Sequence, residues 1–197
     1  MRVLSVEDQR DLKVLHTVSS PLESVDSATR EIINEMIKIA ESGDTVGLSA
    51  VQLGCPIRVF VIDMFSGLFN ITNDLKVISG HHSHNTRSLV CINPQIVSFS
   101  GEIVTLFEGC LSVKSYGMVG IQRPGNVDLK YTDLAGNVCV IRTFNWLARC
   151  VQHEMDHLNG VLLANMLDNI KNKSAQSVSE EDYSSVHILL LDKNKQG

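Results

Sequence analysis

The chain has 197 residues and a mass of 21.7 kDa, the size of one domain with a short appendage, which leaves no room for two full-sized domains. At 44% hydrophobic and 20% charged, with 13 Gly and 4 Pro, the composition excludes collagen-like, coiled-coil and wholly disordered chains. A formal net charge of -5 gives no basic footprint for nucleic acid or an anionic membrane surface, and no apolar run approaches the roughly 18 to 20 residues that span a bilayer. The opening MRVLSVEDQRDLK carries charges where a signal peptide needs an apolar block, so a cytoplasmic protein without membrane attachment is expected. Five cysteines without CxxC spacing, Cys55, Cys91, Cys110, Cys139 and Cys150, fit reduced thiols better than a disulfide framework.

In chain order, an extended N-terminal arm leads to a predicted helix from an Asp26 N-cap to about Glu41. Ile32, Ile33, Met36, Ile37 and Ala40 recur there at helical spacing, and Gly43 can stop it. The small-residue segment TVGLSAVQLGCP reads as a loop, the β-branched run 58–63 as a strand, and the polar stretch 65–88 as a long, mobile loop. Runs 89–106 and 127–144, broken at Asn93-Pro94, Ser100-Gly101 and Ala135-Gly136-Asn137, read as antiparallel strands and hairpins. A second helix, predicted from an Asn145 N-cap to Gly160, carries Trp146, Cys150, His153 and His157 about one turn apart. Beyond Leu167 a polar, Ser-rich segment and the short apolar run 186–191 read as a tail or edge segment.

The sharpest chemical feature is His153-Glu154-Met155-Asp156-His157. On a helix, positions i and i+4 share a face, so both imidazoles can reach one metal ion, while Glu154 projects about 100° round, where it can handle a proton of a water activated by that ion. A catalytic site of this kind usually takes three protein ligands. Cys110, after a predicted strand and beside Gly109 in Glu108-Gly109-Cys110-Leu111-Ser112, is a candidate third, although a lone Cys is more often a small buried apolar residue. Gln52, in Thr45-Val46-Gly47-Leu48-Ser49-Ala50-Val51-Gln52, can donate its amide N–H to a developing oxyanion; read alone, a satisfied buried Gln is the commoner case.

These three segments, in this order, resemble the three motifs of peptide deformylases, which remove the N-formyl group from newly made bacterial-type proteins. EGCLS and QHEMDHLNG fit the family pattern without a break, and the resemblance covers about Ser20 to Leu167. It implies an α+β fold, antiparallel β-sheets around a central helix carrying HExxH with an additional N-terminal helix, in a single catalytic domain, 1–167, followed by the tail, 168–197. It implies Cys110, His153 and His157 as ligands of one divalent metal, usually Fe(II) and replaceable by Zn(II), Ni(II) or Co(II). Glu154 is then the general base and acid for attack of water on the formyl carbon, and Gln52 and the Leu111 backbone N–H hold the oxyanion. Val46 and Gly47 pair with the substrate, and Leu106, Gly109, Trp146 and Cys150 shape the side-chain pocket. The implied partners are N-formylmethionyl termini of nascent chains, met at the ribosome in the cytoplasm.

The first motif departs from the pattern at Thr45, where the family usually has Gly, at Ser49, usually Ala, and at Val51, where Pro or Thr is common. These changes are expected to bear on side-chain preference more than on catalysis. Trp146 and Arg149 stand where aliphatic residues are usual; Arg149 is expected to turn aside or meet a substrate carbonyl. Arg123 is a candidate partner for Glu108, and His81, His82 and His84 read as solvated. Two other readings stay open on the residues alone: a different HExxH peptidase, which needs a third ligand downstream of His157, and a structural metal module or inactive peptide binder, for which Glu154 has no use.

Overall fold

Strand β2 (Val59–Asp63) is buried at all five residues, as a strand is when both faces of its sheet are covered. The structure is a computed structural model in which residues 1–66, 71–80, 82 and 86–166 are described. With β2, five further strands, β1 (Gly47–Ser49), β3 (Leu75–Ser79), β4 (Ser88–Phe99), β7 (Val127–Thr132) and β8 (Val138–Thr143), make a six-stranded sheet. Its order is β1-β2-β4-β7-β8-β3, antiparallel throughout, with β1 at one edge. A separate hairpin pairs β5 (Ile103–Glu108) with β6 (Val119–Pro124). The helices are α1 (Gln9–Leu15), α2 (Ser27–Ala40) and α3 (Asn145–Leu158).

Successive side chains of β2 point to opposite faces. Val59 and Val61 join Ile33, Met36 and Ala40 of α2 in one apolar cluster, while Phe60 and Ile62 join Leu147, Ala148, Val151 and Met155 of α3 in another. Each such buried side chain contributes roughly 1.5 to 3 kcal/mol of transfer free energy, so both helices are fixed against one strand. This is the predicted α+β class with antiparallel sheets. The chain divides into units 1–162 and 163–197, and every element named here lies in the first. Among the described residues no helix is long and apolar enough to cross a membrane.

Helix α2 begins at Asp26, whose carboxylate accepts the Thr29 N–H at 2.8 Å, as its sequence predicts. Five expectations change. The segment TVGLSAVQLGCP, read as a loop, contains strand β1 and a short 3-10 helix, Ala50–Leu53, because its few small residues are too short a run to show a strand period. The extended arm contains α1, capped by Asp8; with only Leu15 among its apolar residues fully buried, its periodicity is too short to read. The arm is tied down by Leu4 N–H to the Gln52 carbonyl (2.8 Å) and Val6 N–H to the Ser112 carbonyl (3.0 Å). The stretch 65–88 contains β3, paired with β8; Lys76, Ile78 and Ser79 are exposed, which hides the strand signal. Residues 67–70, 81 and 83–85, a part of the expected mobile loop that includes His81 and His84, and the tail 168–197 lie outside the described residues.

Asn93-Pro94 does not break a strand but makes a bulge within β4: the register shifts between Ile92 and Gln95, and Asn93 takes φ +49° while its amide bonds both the N–H and the carbonyl of Leu22. At α3 the N-cap is Phe144, not Asn145; the Asn145 amide instead reaches Asp74 at 3.0 Å. The helix stops before Gly160 (φ +71°), where a Cβ would strike the His16 carbonyl.

Candidate active site

Helix α3 places His153 and His157 one turn apart, ring centroids 5.0 Å from each other. Cys110 arrives from β5 through Gly109, with its Sγ 3.2 Å from His157 Nε2. One ligand atom from each of the three lies within 4.8 Å of the others, the one such group among the described residues. Two ligands of one tetrahedral ion stand roughly 3.5 Å apart, so these side chains fit a single ion after a small adjustment. The donor chemistry fits too. Burial pushes the Cys110 thiol up, but His157 and His153 beside it draw it well below the ordinary thiol range, toward the thiolate that binds metal. Glu108 occupies Nδ1 of His153 at 2.9 Å, which leaves Nε2 for the ion. The buried Nδ1 of His157 has no hydrogen-bond partner among the described residues, so packing and Cys110 orient that ring.

Behind these residues lies a buried charge network. Arg123 donates to both oxygens of Glu108 (2.7 and 2.9 Å) and to Asp156 (2.6 Å). Arg149 donates to Glu108 (2.8 Å) and to the carbonyls of Ile121 (2.9 Å) and Val104 (2.6 Å), fastening α3 to both strands of the β5–β6 hairpin. All four charged residues are at most 5% exposed, and the charges balance two against two. Burial alone would raise the Glu108 carboxyl, yet Arg123 and His153 hold it well below the carboxylate range. The Arg149 guanidinium is engaged in this network, while the residue also contributes to the wall of the neighbouring cavity.

Glu154, also on α3, is 3% exposed; burial pushes its carboxyl up from the ordinary value, against the pull of His153 and His157. Its Oε2 accepts the Ser49 hydroxyl at 2.7 Å. Its Oε1 lies against Gly47, where a Cβ would stand 2.5 Å away, so this position of β1 must be glycine for the carboxylate to sit here. The Ser49 N–H donates to Gln52 Oε1 at 2.9 Å, which turns the Gln52 NH2 toward Ser112 Oγ (3.1 Å) and Cys110 Sγ (3.7 Å). Thr45 Oγ1 donates to the Gly47 carbonyl at 2.8 Å.

A cavity of about 360 Å³ opens onto this arrangement, and Val46, Gly47, Gln52, Gly109, Cys110, Leu111, Trp146, Cys150, His153 and Glu154 all line it. His157 sits behind, 1% exposed. Leu106 does not line the cavity; its neighbour Phe107 does, because adjacent strand residues face opposite ways and Leu106 is the one turned toward the protein. Met118, Lys114 and Asp44 also contribute to the wall and mouth, with no motif to mark them. Ser49 is fully buried and faces Glu154 rather than the substrate side, so its expected bearing on side-chain preference is corrected. Its departure from the family pattern was the available signal. Of the histidine-rich tract, His82 meets the Tyr131 hydroxyl at 2.9 Å.

Compared with known proteins, residues 2–173 match the family described as polypeptide deformylase. The chain belongs to the polypeptide deformylase family. It is 34% identical over 169 residues to the peptide deformylase of Wolbachia sp. subsp. Brugia malayi (strain TRS), covering 85% of this chain and 89% of that one. The crystal structure of peptide deformylase from Ehrlichia chaffeensis superposes with a TM-score of 0.69 at 31% identity, covering 99% of this chain and 97% of that chain. A structure of the Ehrlichia deformylase in complex with actinonin has a TM-score of 0.67 at 34% identity, covering 90% and 98%. The deformylase family is metal-dependent, and Cys110, His153 and His157 form a group able to hold an ion.

Proposed function

We propose that Glu154 carries the proton transfers by which this chain, a metal-dependent hydrolase, removes the N-formyl group from the formylmethionine of nascent proteins and releases formate. The observation that supports this best is the buried carboxylate of Glu154 on the wall of the cavity beside Cys110 and His153. A divalent metal held by Cys110, His153 and His157, Fe(II) by expectation and replaceable by Zn(II), Ni(II) or Co(II), supplies Lewis acidity and shifts the pKa of water from about 15.7 toward 7. Glu154 takes a proton from the water that attacks the formyl carbon. Gln52 Nε2 and the Leu111 N–H donate to the oxyanion, where loss of one such donor raises a barrier by about 2.7 to 4 kcal/mol. As the C–N bond breaks, Glu154 returns the proton to the departing amine nitrogen, giving formate and a free peptide N-terminus.

Among the described residues strand β1 has a partner on one side only, so the backbone near Val46 and Gly47 can take the substrate peptide as an added strand. The side-chain pocket is assigned to Trp146, Cys150 and Gly109, with Phe107 in place of Leu106. A Trp there gives methionine a sulfur–aromatic contact worth about 0.3 to 1.5 kcal/mol that norleucine lacks. Trp146→Leu is therefore expected to cut the preference for formyl-Met over formyl-norleucine peptides about 2- to 10-fold, and unchanged discrimination would remove Trp146 from the pocket. Gly47→Ala, which drives a methyl into Glu154 Oε1, is expected to lower kcat about 100-fold while metal content is kept.

Formate release from formyl-Met-Ala by anaerobically loaded protein tests the reading directly; no formate at full metal content overturns it. Because O2 oxidises Fe(II) but not Zn(II) or Ni(II), and a thiolate beside the iron is open to the reduced oxygen species so formed, the Fe(II) form is expected to lose activity in air while Zn(II) and Ni(II) forms do not, and equal air stability would count against Cys110 as a ligand. The family match over residues 2–173 supports a single catalytic domain over most of the chain, for which the proposed bounds are 1–167, with 168–197 as a tail. The substrate class supports a cytoplasmic location, with formylated chains met as they leave the ribosome.

A further inference from the structure

We propose that Ser49 is a positioning residue for proton transfer: its hydroxyl fixes one oxygen of the Glu154 carboxylate so that the other stands on the cavity wall. The proposal rests on the reading of Glu154 as the proton-carrying group. Ser49 Oγ lies 2.7 Å from Glu154 Oε2 and 3.1 Å from the Glu154 backbone carbonyl. A hydroxyl has one hydrogen, and the shorter contact, to a carboxylate, is the stronger acceptor. It is the one donor to this carboxylate among the described residues.

The Glu side chain has three rotatable bonds, and its last torsion is a broad, soft one, so a carboxylate held only through its own stem samples several orientations. Here the two oxygens are fixed by opposite means. Oε2 is anchored by the Ser49 hydroxyl, and Oε1 occupies the space that Gly47 leaves by having no Cβ. Ser49 is itself held in place: it pairs with Phe60 across β1 and β2, is fully buried, and its N–H is engaged by Gln52 Oε1. The link to Gln52 runs through the backbone and survives any side chain, whereas the link to Glu154 needs the hydroxyl. An Ala at this position leaves the oxyanion donor in place and releases the base. Among the described residues Ser49 makes no side-chain hydrogen bond to Cys110, His153 or His157 and does not line the cavity, so neither metal binding nor substrate side-chain recognition needs its hydroxyl.

The test is steady-state kinetics on formyl-Met-Ala with wild type, Ser49→Ala, Glu154→Gln and the double variant, all loaded with the same metal. Ser49→Ala is expected to retain its metal and a KM within about 2-fold of wild type, and to lose about 10- to 100-fold in kcat. In the Glu154→Gln background the same substitution is expected to change the residual rate less than about 2-fold, since there is no base left to orient. Wild-type kcat in Ser49→Ala, a loss carried by KM or by metal content, or an equal loss in the Glu154→Gln background overturns the proposal. The two readings separate cleanly: an inactive Glu154→Gln with a fully active Ser49→Ala sinks the role of Ser49 alone, whereas an active Glu154→Gln removes the base on which it depends.

Discussion

Glu154→Gln is expected to lower kcat on formyl-Met-Ala by about 10²- to 10⁴-fold, the range carried by a positioned general acid–base, while metal content stays near one ion per chain. The substitution preserves the shape of the side chain, and Ser49 Oγ can still donate to an amide oxygen where it now donates to Oε2. What it removes is the capacity to hold a proton. Burial pushes the Glu154 carboxyl up, with His153, His157 and Ser49 pulling the other way, and a base raised toward the working pH shares protons better with water and with a leaving amine. The three candidate ligands do not depend on this carboxylate, since Glu108 holds His153 and Cys110 faces His157. Formate assays and metal analysis on the same sample decide the matter. Loss of both activity and metal would mean a structural lesion, and wild-type kcat would mean that proton transfer runs through another group.

The parts that could be read from the sequence are those where one local pattern answers to one physical cause. Asp26 before an apolar helical stripe became α2, the β-branched run became the doubly covered β2, and the i, i+4 spacing brought His153 and His157 to one face. Cys110 lay after a strand, as expected, because a buried β5 end and Gly109 aim the chain at α3. What could not be read depends on long-range packing. Strand β3 is held by pairing with β8 and has little apolar pattern of its own. Helix α1 is held by a salt bridge from Arg2 to Asp11, and the arm before it by backbone bonds from Leu4 and Val6 to Gln52 and Ser112. Arg149 could be placed on a helix face but not in a rotamer; its guanidinium is engaged by Glu108 and two carbonyls that only the fold brings within reach.

Arg123→Met is expected to be the most destabilising single change in the site, by about 3 to 5 kcal/mol, or a Tm lower by roughly 10 °C, read on metal-free protein so that ion binding does not mask it. Arg123 is 3% exposed and joins Glu108 of β5 to Asp156 of α3. Glu108 would retain Arg149 and His153, but the Asp156 carboxylate, 5% exposed, would lose the guanidinium that compensates its charge. A buried charge left alone is what makes such a truncation severe, whereas replacing both partners with apolar groups is often close to neutral. Arg123→Met with Asp156→Leu is therefore expected to recover most of the lost stability. Metal affinity should not recover with it. Glu108 would still be held from one side only, and looser support of His153 Nδ1 typically weakens metal binding about 10- to 100-fold. If the double variant regained both properties, the network would be serving only the fold; recovery of stability without affinity means that Arg123 also keeps His153 in place for the ion.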